Sequence, residues 1–336
     1  MAPKEFPTAD ADAFSNFVQG RALFQEYLGN GSGEELSQAR DHFATATARD
    51  PKFDIAKLYL AVTQTELRDT ATAIPALEQL ILNKSFLPEA HVQLAYAHIK
   101  LYTDDDFAKA DKELDEAAAA AKTEHRNDLI DLICAYRVFL FAVRGGRGHE
   151  SPDQKRKYLE SAKTLGNRLL KRPVAAGDPS AESMAVQFEA NNGMGIASLW
   201  FGELFPTDPQ AAQSWVESEG YLKAALALRP KSVRVLQNMG LLYMVQGDRA
   251  EKNPAKAQEL YGQAKDFVGQ SLKLNPFDQY PHFQMALLSI KTGDWTTAQT
   301  YVDSGTKQKG AVGSGKWSTL KEAIHDRDAS KVRGLR

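Results

Sequence analysis

The segment from Gly310 to Trp317 comes nearest to a catalytic motif in this sequence. Its G-x4-G-K spacing is that of a loop whose backbone amides and lysine hold nucleotide phosphates. Such a loop needs Ser or Thr directly after the lysine to hold magnesium, and Trp317 occupies that position. The strand that should precede the loop is also missing from the sequence pattern. We therefore predict a flexible glycine linker and no nucleotide-hydrolysing site.

The other residue types that carry chemistry also lack the necessary spacing. No two of the seven histidines lie four residues apart around a glutamate, so the helical zinc-protease motif is absent. The run Asp104–Asp106 has neither the glycine nor the final glutamate of a calcium loop, and it is expected to cap a helix. Cys134 lies in an apolar run and is expected to be a buried small residue. These patterns predict no enzyme, no metal site and no cofactor.

The composition is that of an ordinary soluble chain of 336 residues, with 43% hydrophobic and 25% charged residues. A net charge of −2 removes bulk electrostatics as a reason to bind nucleic acid. The single cysteine excludes an internal disulfide, and no apolar run reaches the roughly 18 residues that a membrane span needs. Because the N-terminal segment shows no signal peptide, a cytoplasmic location is expected, and the high alanine content favours a bacterial origin.

The elements that would position any functional residue are amphipathic helices, which are predicted in pairs over nearly the whole chain. Seven pairs are predicted near residues 13–51, 54–83, 91–122, 127–172, 181–230, 233–276 and 279–308, with a capping helix near 315–325. Strand-like alternation is nearly absent. Such a succession indicates an array in which each pair buries its apolar face against its neighbours.

The second helix of a pair carries a small residue, a large residue, a small residue and then a proline. Two complete copies are Ala39, Phe43, Ala46 and Pro51, and Ala264, Val268, Ser271 and Pro276. Small residues let two helices approach closely, while the large residue fills the space between them. The first helix has a matching face, which in one pair is formed by Leu236, Met239, Gly240 and Tyr243.

This pattern resembles that of the tetratricopeptide repeat family, which is W-x2-L-G-x2-Y followed by A-x3-F-x2-A-x4-P over about 34 residues. The resemblance covers nearly the whole chain. It implies an all-α, right-handed superhelical solenoid of about seven helix pairs with a C-terminal capping helix. The implied division is an N-terminal extension at 1–12, the helical array at 13–308, and a glycine linker, capping helix and basic tail at 309–336.

In this family the concave face of the array binds proteins and peptides. Family positions carried over residue by residue imply a partner-binding face that is apolar and aromatic, without charge: Phe17, Arg21, Phe24, Tyr59, Tyr96, Tyr102, Tyr280 and Phe283, with Arg21 as the exception. Aromatic anchors in a groove grip an amphipathic helix or an extended apolar segment. The same side chains could instead pack on one another as core, and the sequence leaves both alternatives open.

Charge is distributed unevenly along the chain. Between Arg144 and Arg172 there are nine basic residues and three acidic ones. This excess makes Arg144, Arg147, Lys155 and Arg156 candidate anion-binding residues.

Two functions follow as expectations. The resemblance implies a non-catalytic scaffold that binds a protein or peptide in its concave groove and assembles a complex, with membrane partners excluded and nucleic acid disfavoured. The alternative is a regulatory module of a larger signalling or defence protein that senses an anionic small molecule or nucleic acid. A closed ring with a small polar pocket would distinguish the second function from the open groove of the first.

Overall fold

A computed structural model describes residues 8–171, 181–250, 252–308 and 312–335 of the chain. These ranges contain fifteen α-helices, one short 3-10 helix and no β-strand, which confirms the predicted all-α fold. None of these helices combines the length and the apolar character that crossing a membrane requires. The first seven residues, Arg172 and the centre of the predicted glycine linker at 309–311 lie outside the described residues.

Fourteen of the helices form seven consecutive pairs of neighbours. The first four pairs are α1 (Ala11–Asn30) with α2 (Gly33–Arg49), α3 (Asp54–Glu66) with α4 (Thr70–Leu82), α5 (Leu87–Ile99) with α6 (Asp104–Thr123), and α7 (Asn127–Arg147) with α8 (Pro152–Leu170). The other three are α9 (Ala181–Leu204) with α10 (Ala211–Leu228), α11 (Val233–Arg249) with α12 (Pro254–Leu274), and α13 (Gln279–Lys291) with α14 (Trp295–Gly305). Helix α15 (Ser314–Asp326) and the 3-10 helix Ala329–Val332 follow the last pair.

Polar side chains at the helix starts explain where several helices begin. The Asp10 carboxylate accepts a hydrogen bond from the backbone N of Ala13 at 2.7 Å and caps α1. The run Asp104–Asp106 forms the first turn of α6, but Thr103 is the cap, because its Oγ1 accepts from the Asp106 N at 3.1 Å. The expectation that this run supplies the cap is therefore corrected. Its carboxylates instead stabilise the positive end of the helix dipole.

Small residues allow the close packing within pairs that the repeating pattern predicts. A Cβ added to Gly20 of α1 would lie 2.8 Å from the Phe43 ring of α2, and one added to Gly195 would lie 2.6 Å from Leu222. Both distances are too short for a carbon–carbon contact, so a side chain at either glycine would push the paired helices apart. Cys134, which was expected to be buried, is half-buried and reduced.

The apolar core is divided between two parts of the array. Helices α1–α4, which we call the arm, contain one small cluster around Phe17 and Phe43 and a second around Leu77 that reaches Leu94 of α5. A much larger continuous cluster fills α5–α15, which we call the body. The arm is thus joined to the body by a small apolar contact at α5.

The first helix pair meets the α10–α11 turn and the end of α12 at a narrow contact that we call the seam. A Cβ added to Gly31, in the α1–α2 turn, would overlap the carbonyl O of Lys231, in the α10–α11 turn. One added to Gly33, the first residue of α2, would lie 2.7 Å from Oδ1 of Asn275, directly after α12. The seam closes the array into a ring, with the arm on one side and the body on the other.

Candidate functional site

Hydrogen bonds across the ring bring distant helices around a shared interior. Arg147, at the end of α7, donates from Nη2 to the Tyr280 hydroxyl of α13 at 2.8 Å. Arg234 of α11 donates from Nη1 to the Tyr96 hydroxyl of α5 at 3.1 Å. We call the space that these residues enclose the chamber.

The chamber has two lobes that share Arg68, Tyr102, Arg147 and Tyr280. The inner lobe, of about 40 Å³, is also lined by Tyr96, Lys100, Phe139, Val143, Ile196, Leu199, Trp200, Arg234, Gln237, Asn238 and Leu241. The outer lobe, of about 30 Å³, is also lined by Asp278, Phe283, Val312 and Lys316. Since a buried water molecule needs roughly 10–15 Å³ of such volume, each lobe has room for roughly two or three of them.

Cationic side chains outnumber carboxylates around the chamber. The cations are Arg68, Lys100, Arg147, Arg234 and Lys316, and the carboxylates are Glu66, Glu189 and Asp278. Lys100 pairs with Glu66 at 3.0 Å, and Arg234 pairs with Glu189 at 2.6 Å. The third carboxylate, Asp278, accepts a hydrogen bond from the side-chain amide of Gln237 at 2.8 Å.

Arg68 and Arg147 have phenol partners in place of carboxylates. Arg68 donates to the Tyr102 side chain, and Arg147 donates to Tyr280. The Arg147 guanidinium also lies 4.9 Å from the centre of the Tyr102 ring. Neither arginine forms an ion pair with a carboxylate within the described ranges, and Nη1 of Arg68 is buried there without a hydrogen-bond partner. The carboxylate of Asp278, which lines the outer lobe with both arginines, raises the pKa of Arg68 and so offsets part of this positive charge.

The tyrosines show the effect of this charge. Burial raises the pKa of Tyr96 and Tyr136, as expected for phenols removed from water. Burial acts in the same direction on Tyr102, but the guanidiniums of Arg68 and Arg147 outweigh it and lower the pKa of this phenol. The two guanidiniums therefore favour negative charge on the Tyr102 oxygen.

Burial and the positive charge of the chamber also affect Lys100, a cation, by lowering its pKa. Burial lowers the pKa of Lys100 to about 8, although Glu66 opposes this shift, and Arg68 and Arg234 lower it further. Its ammonium lies 4.5 Å from the centre of the Tyr96 ring. Burial would raise the pKa of Glu66, but Lys100 and Arg234 outweigh it and lower that pKa to about 2. The chamber thus disfavours further positive charge and stabilises negative charge.

Two chamber residues occupy backbone positions that favour glycine. In four pairs, the residue directly before the N-cap of the second helix has a left-handed backbone: Gly31, Arg68, Tyr102 and Gly293. For Arg68 (φ 65°) and Tyr102 (φ 59°), this conformation costs roughly 1–2 kcal/mol each because Cβ crowds the backbone. Strain of this kind clusters at binding sites, where the side chain is needed in one place.

The stacked pairs and their small–large–small packing decide the architecture. The fold is tetratricopeptide-like. No protein-family model and no curated protein matches the sequence. Among solved structures, the chain is similar to a tetratricopeptide repeat protein from Parabacteroides merdae, at 10% identity and a TM-score of 0.47, with 96% of this chain and 100% of that one covered.

Two further solved structures show a weaker likeness. One is the TPR2AB domain of yeast Sti1 in a pHSP90 complex, at 13% identity and a TM-score of 0.27, with 95% of this chain and 98% of that one covered. The other is yeast Tom70, at 13% identity and a TM-score of 0.28, with coverage of 96% and 77%. These likenesses assign no partner or activity to this chain.

Four of the eight predicted partner-binding residues of this tetratricopeptide-like array lie around the chamber: Tyr96, Tyr102, Tyr280 and Phe283. Tyr96 and Phe283 are buried, at 2% and 1% exposure, while Tyr102 and Tyr280 are half-buried. Because each lobe that they line has room for only a few water molecules, a helix or an extended peptide does not fit there in this conformation.

The other four predicted residues, Phe17, Arg21, Phe24 and Tyr59, lie in the arm. Phe17 and Phe24 are buried, with ring centres 5.7 Å and 6.0 Å from that of Tyr59. Arg21 is exposed, and its guanidinium lies 4.8 Å from the centre of the Tyr59 ring. The structure therefore divides the predicted face into an aromatic cluster of the arm and the wall of the chamber.

The predicted anion-binding residues are divided as well. Arg147 lines both lobes of the chamber. Arg144 and Arg156 form ion pairs with nearby carboxylates at 2.6 Å and 2.7 Å, and Lys155 is half-buried on α8. These three residues lie outside the chamber.

Around the chamber, charged side chains lie beside four residues of the face that was predicted to be apolar and aromatic. Three of the cations come from places that the repeat positions do not cover: Arg68 lies in a turn, Lys100 follows a helix end, and Lys316 lies in the first turn of α15. The sequence pattern assigns Lys316 to a linker motif. An alignment of the turns could have found Arg68, because Gly293 holds the equivalent position in the last pair.

Proposed function

We propose that this chain is a non-catalytic regulatory module that senses a small anionic molecule bound in the chamber. The observation that carries the proposal is the closure of the ring around an interior where cations outnumber carboxylates. A closed ring with a small polar pocket favours ligand sensing over a scaffold with an open peptide groove. Because an uncompensated buried ion costs several kcal/mol, a bound anion would supply the charge that the chamber lacks.

The lining residues suit an oxyanion. The planar guanidinium groups of Arg68 and Arg147 can each donate two parallel hydrogen bonds to oxygen atoms. The hydroxyls of Tyr102 and Tyr280 can donate as well, once an anion replaces their present contacts. Trp200 and Leu199 close the inner lobe with apolar surface, which strengthens electrostatic attraction inside it.

Thermal unfolding in the presence of an anion panel tests this proposal. The panel contains phosphate, sulfate, citrate and adenosine monophosphate at equal ionic strength, with chloride as the reference. An anion at 100 times its Kd should add about 2.7 kcal/mol to the free energy of unfolding and raise Tm. Arg147→Gln removes one chamber charge and should abolish the increase.

Arg126→Gln is the matched control, because Arg126 is partly exposed on the outside and pairs with Glu89 and Asp128. This variant should respond to the anion like the wild type. The proposal is overturned if no anion of the panel stabilises the wild type, or if both variants lose the response equally.

A second candidate, a protein-binding scaffold, is favoured by one feature of the arm. Val18 is 48% exposed and lies one helical turn from the exposed Arg21, which stacks on Tyr59. This apolar and cationic patch would contact a peptide partner. Val18→Ser with Arg21→Ala should reduce recovery of a co-purifying partner while Tm stays unchanged. Equal recovery with both proteins would reject the patch.

A further inference from the structure

Three cations of the outer lobe come from separate parts of the chain. Arg68 lies in the α3–α4 turn of the arm, Arg147 ends α7 of the body, and Lys316 lies in the first turn of α15. Their meeting point is therefore a product of ring closure. Arg68 would move away from the other two if the arm left its place, and Lys316 would do so if α15 left its place.

The attraction that holds arm and body together at this point is weak. Glu66 of the arm pairs with Lys100 of the body, which favours closure. Arg68, near Glu66 on the same arm, lines the outer lobe with two like charges, Arg147 and Lys316, which repel it, and with one carboxylate, Asp278, which attracts it. Arg147 and burial both lower the pKa of Lys316, in agreement with this repulsion. An anion between the three side chains would turn repulsion into bridging attraction.

The size of the outer lobe selects the anion. Its volume of about 30 Å³ accommodates a free oxyanion that replaces roughly two water molecules, and it has no space for a nucleoside or a peptide. The start of α15 adds a weak positive dipole next to Lys316, at the turn where the Val312 N donates to the Gln279 side chain at 3.0 Å. A doubly charged oxyanion would offset more of the excess charge than a monovalent ion.

The seam is connected to the chamber. A small cavity there is lined by Tyr27 and Gly31 from the arm, by Arg229 from the body, by Arg234, which also lines the inner lobe, and by Glu66, which pairs with Lys100 of that lobe. The cluster around Phe17 and Phe43 lies wholly within the arm and can move as a unit, while the cluster around Leu77, which reaches Leu94 of α5, holds the arm to the body at its other end. Closure of the seam and assembly of the outer lobe are thus parts of the same movement.

We propose that the sensed ligand is a free, doubly charged oxyanion of phosphate size, and that its binding between Arg68, Arg147 and Lys316 closes the ring at the seam. This inference rests on the proposed function and adds the class of the ligand and the response to it. The anion-free chain opens at the seam, which separates the arm from the body there. The signal is the position of the arm.

A disulfide across the seam measures closure. Cβ atoms at positions 33 and 275 lie 3.3 Å apart, close to the roughly 3.8 Å of a disulfide. The double variant Gly33→Cys/Asn275→Cys is made in a Cys134→Ser background, so that no other thiol competes. Its rate of oxidation by diamide is followed with inorganic phosphate or with chloride at equal ionic strength. Phosphate should increase the rate at least fivefold.

Further substitutions in the double cysteine variant test whether the oxidation rate depends on the outer lobe. With Arg147→Gln the rate should no longer depend on phosphate, whereas Arg126→Gln should leave the dependence intact. A parallel experiment uses phenyl phosphate in place of inorganic phosphate, because the phenyl ring is too large for the outer lobe. Equal acceleration by phenyl phosphate would overturn the assignment of a free ion.

The outcomes separate this inference from the proposed function. If phosphate binds in calorimetry but leaves the oxidation rate unchanged, closure is refuted and anion sensing stands. If citrate or adenosine monophosphate binds and neither phosphate nor sulfate does, the ligand class is refuted. The proposed function itself is refuted if no anion of the panel binds, or if Arg147→Gln and Arg126→Gln lose the response equally.

Hydrogen exchange of the unmodified chain provides the second readout, in case the double cysteine variant fails to fold. The Gly31 amide donates to the Tyr27 carbonyl at 2.8 Å at the end of α1, beside the seam. Phosphate should slow exchange here and in the α10–α11 turn at least fivefold more than in α4. Uniform slowing, or none, would refute closure.

Discussion

Replacing Arg68 with glycine should stabilise this protein, although most substitutions of half-buried residues destabilise. The left-handed backbone at Arg68 costs roughly 1–2 kcal/mol that glycine does not pay. The greater conformational freedom of glycine in the unfolded chain lowers this gain in stability by about 0.5–1 kcal/mol. The backbone alone should therefore add about 0.5–1 kcal/mol to the free energy of unfolding.

The side chain should add to the gain. Removing Arg68 takes away a cation that has no carboxylate partner within the described ranges, and the desolvation of such an ion opposes folding by several kcal/mol before compensation. Against this stands the lost hydrogen bond to Tyr102, worth about 0.5–1.5 kcal/mol. When relief of the backbone strain and removal of the buried charge are added, we expect Arg68→Gly to increase the free energy of unfolding by roughly 1–3 kcal/mol.

Urea denaturation of Arg68→Gly and Lys84→Gly measures the two contributions separately. Lys84 has the same backbone conformation (φ 55°) but is exposed between α4 and α5, so its replacement has only the backbone effect. Arg68→Gly should exceed this control and should also lose the stabilisation by phosphate. A gain no larger than that of the control would refute the argument from buried charge, and a net loss would refute the argument from strain as well.

Three other predictions concern packing, the seam and pH. Ala110→Leu should lower the free energy of unfolding by about 1–3 kcal/mol, because Ala110 is fully buried in α6 and overpacking forces the helices apart; urea denaturation measures this. Gly33→Ala should be less stable than Gly29→Ala by at least about 1 kcal/mol in the same assay, because only the first adds a Cβ against the seam. The pKa of Lys100 falls from 10.5 to about 8 on folding, so the unfolded chain binds more protons between these pH values, and stability should rise with pH across this window. Lys100→Arg keeps the charge opposite Glu66 and should remove that part of the rise, as shown by denaturation at pH 7.5, 9 and 10.5.

A control variant or a comparison checks each of these three predictions. Ala119→Leu, at an exposed position of α6, should change stability by less than 0.5 kcal/mol as an approximate limit for surface sites. An equal loss at Ala110 and Ala119 would contradict the assigned packing face. Equal effects at Gly29 and Gly33 would contradict the seam, and parallel pH profiles of wild type and Lys100→Arg would contradict the burial of Lys100.

The sequence was sufficient for the helices and their pairing because both depend on local order. A small, large and small residue at helical spacing, as at Ala39, Phe43 and Ala46, specifies which face of α2 meets α1. Capping residues and prolines then limit the helices from within the same short window. None of this requires knowledge of what lies elsewhere along the chain.

The chamber could not be predicted in the same way, because its residues meet only through the closure of the ring. Arg68 and Arg147 are far apart in sequence and belong to a turn and a helix end. The family positions that identify a concave face assume an open superhelix. They found Tyr96, Tyr280 and Phe283 on the inner side, but they do not show that the space between these residues is narrow and cationic.

The division of the core between arm and body has a consequence for the order in which the chain folds. During synthesis, α1–α4 leave the ribosome first, and their own apolar clusters allow them to become compact before the body is made. The contact between Gly33 and Asn275 must wait until nearly the whole chain has been translated, and it closes a very long loop for a small contact area. Ring closure is therefore a late step of folding, and the arm stays unattached at the seam until α12 has been made.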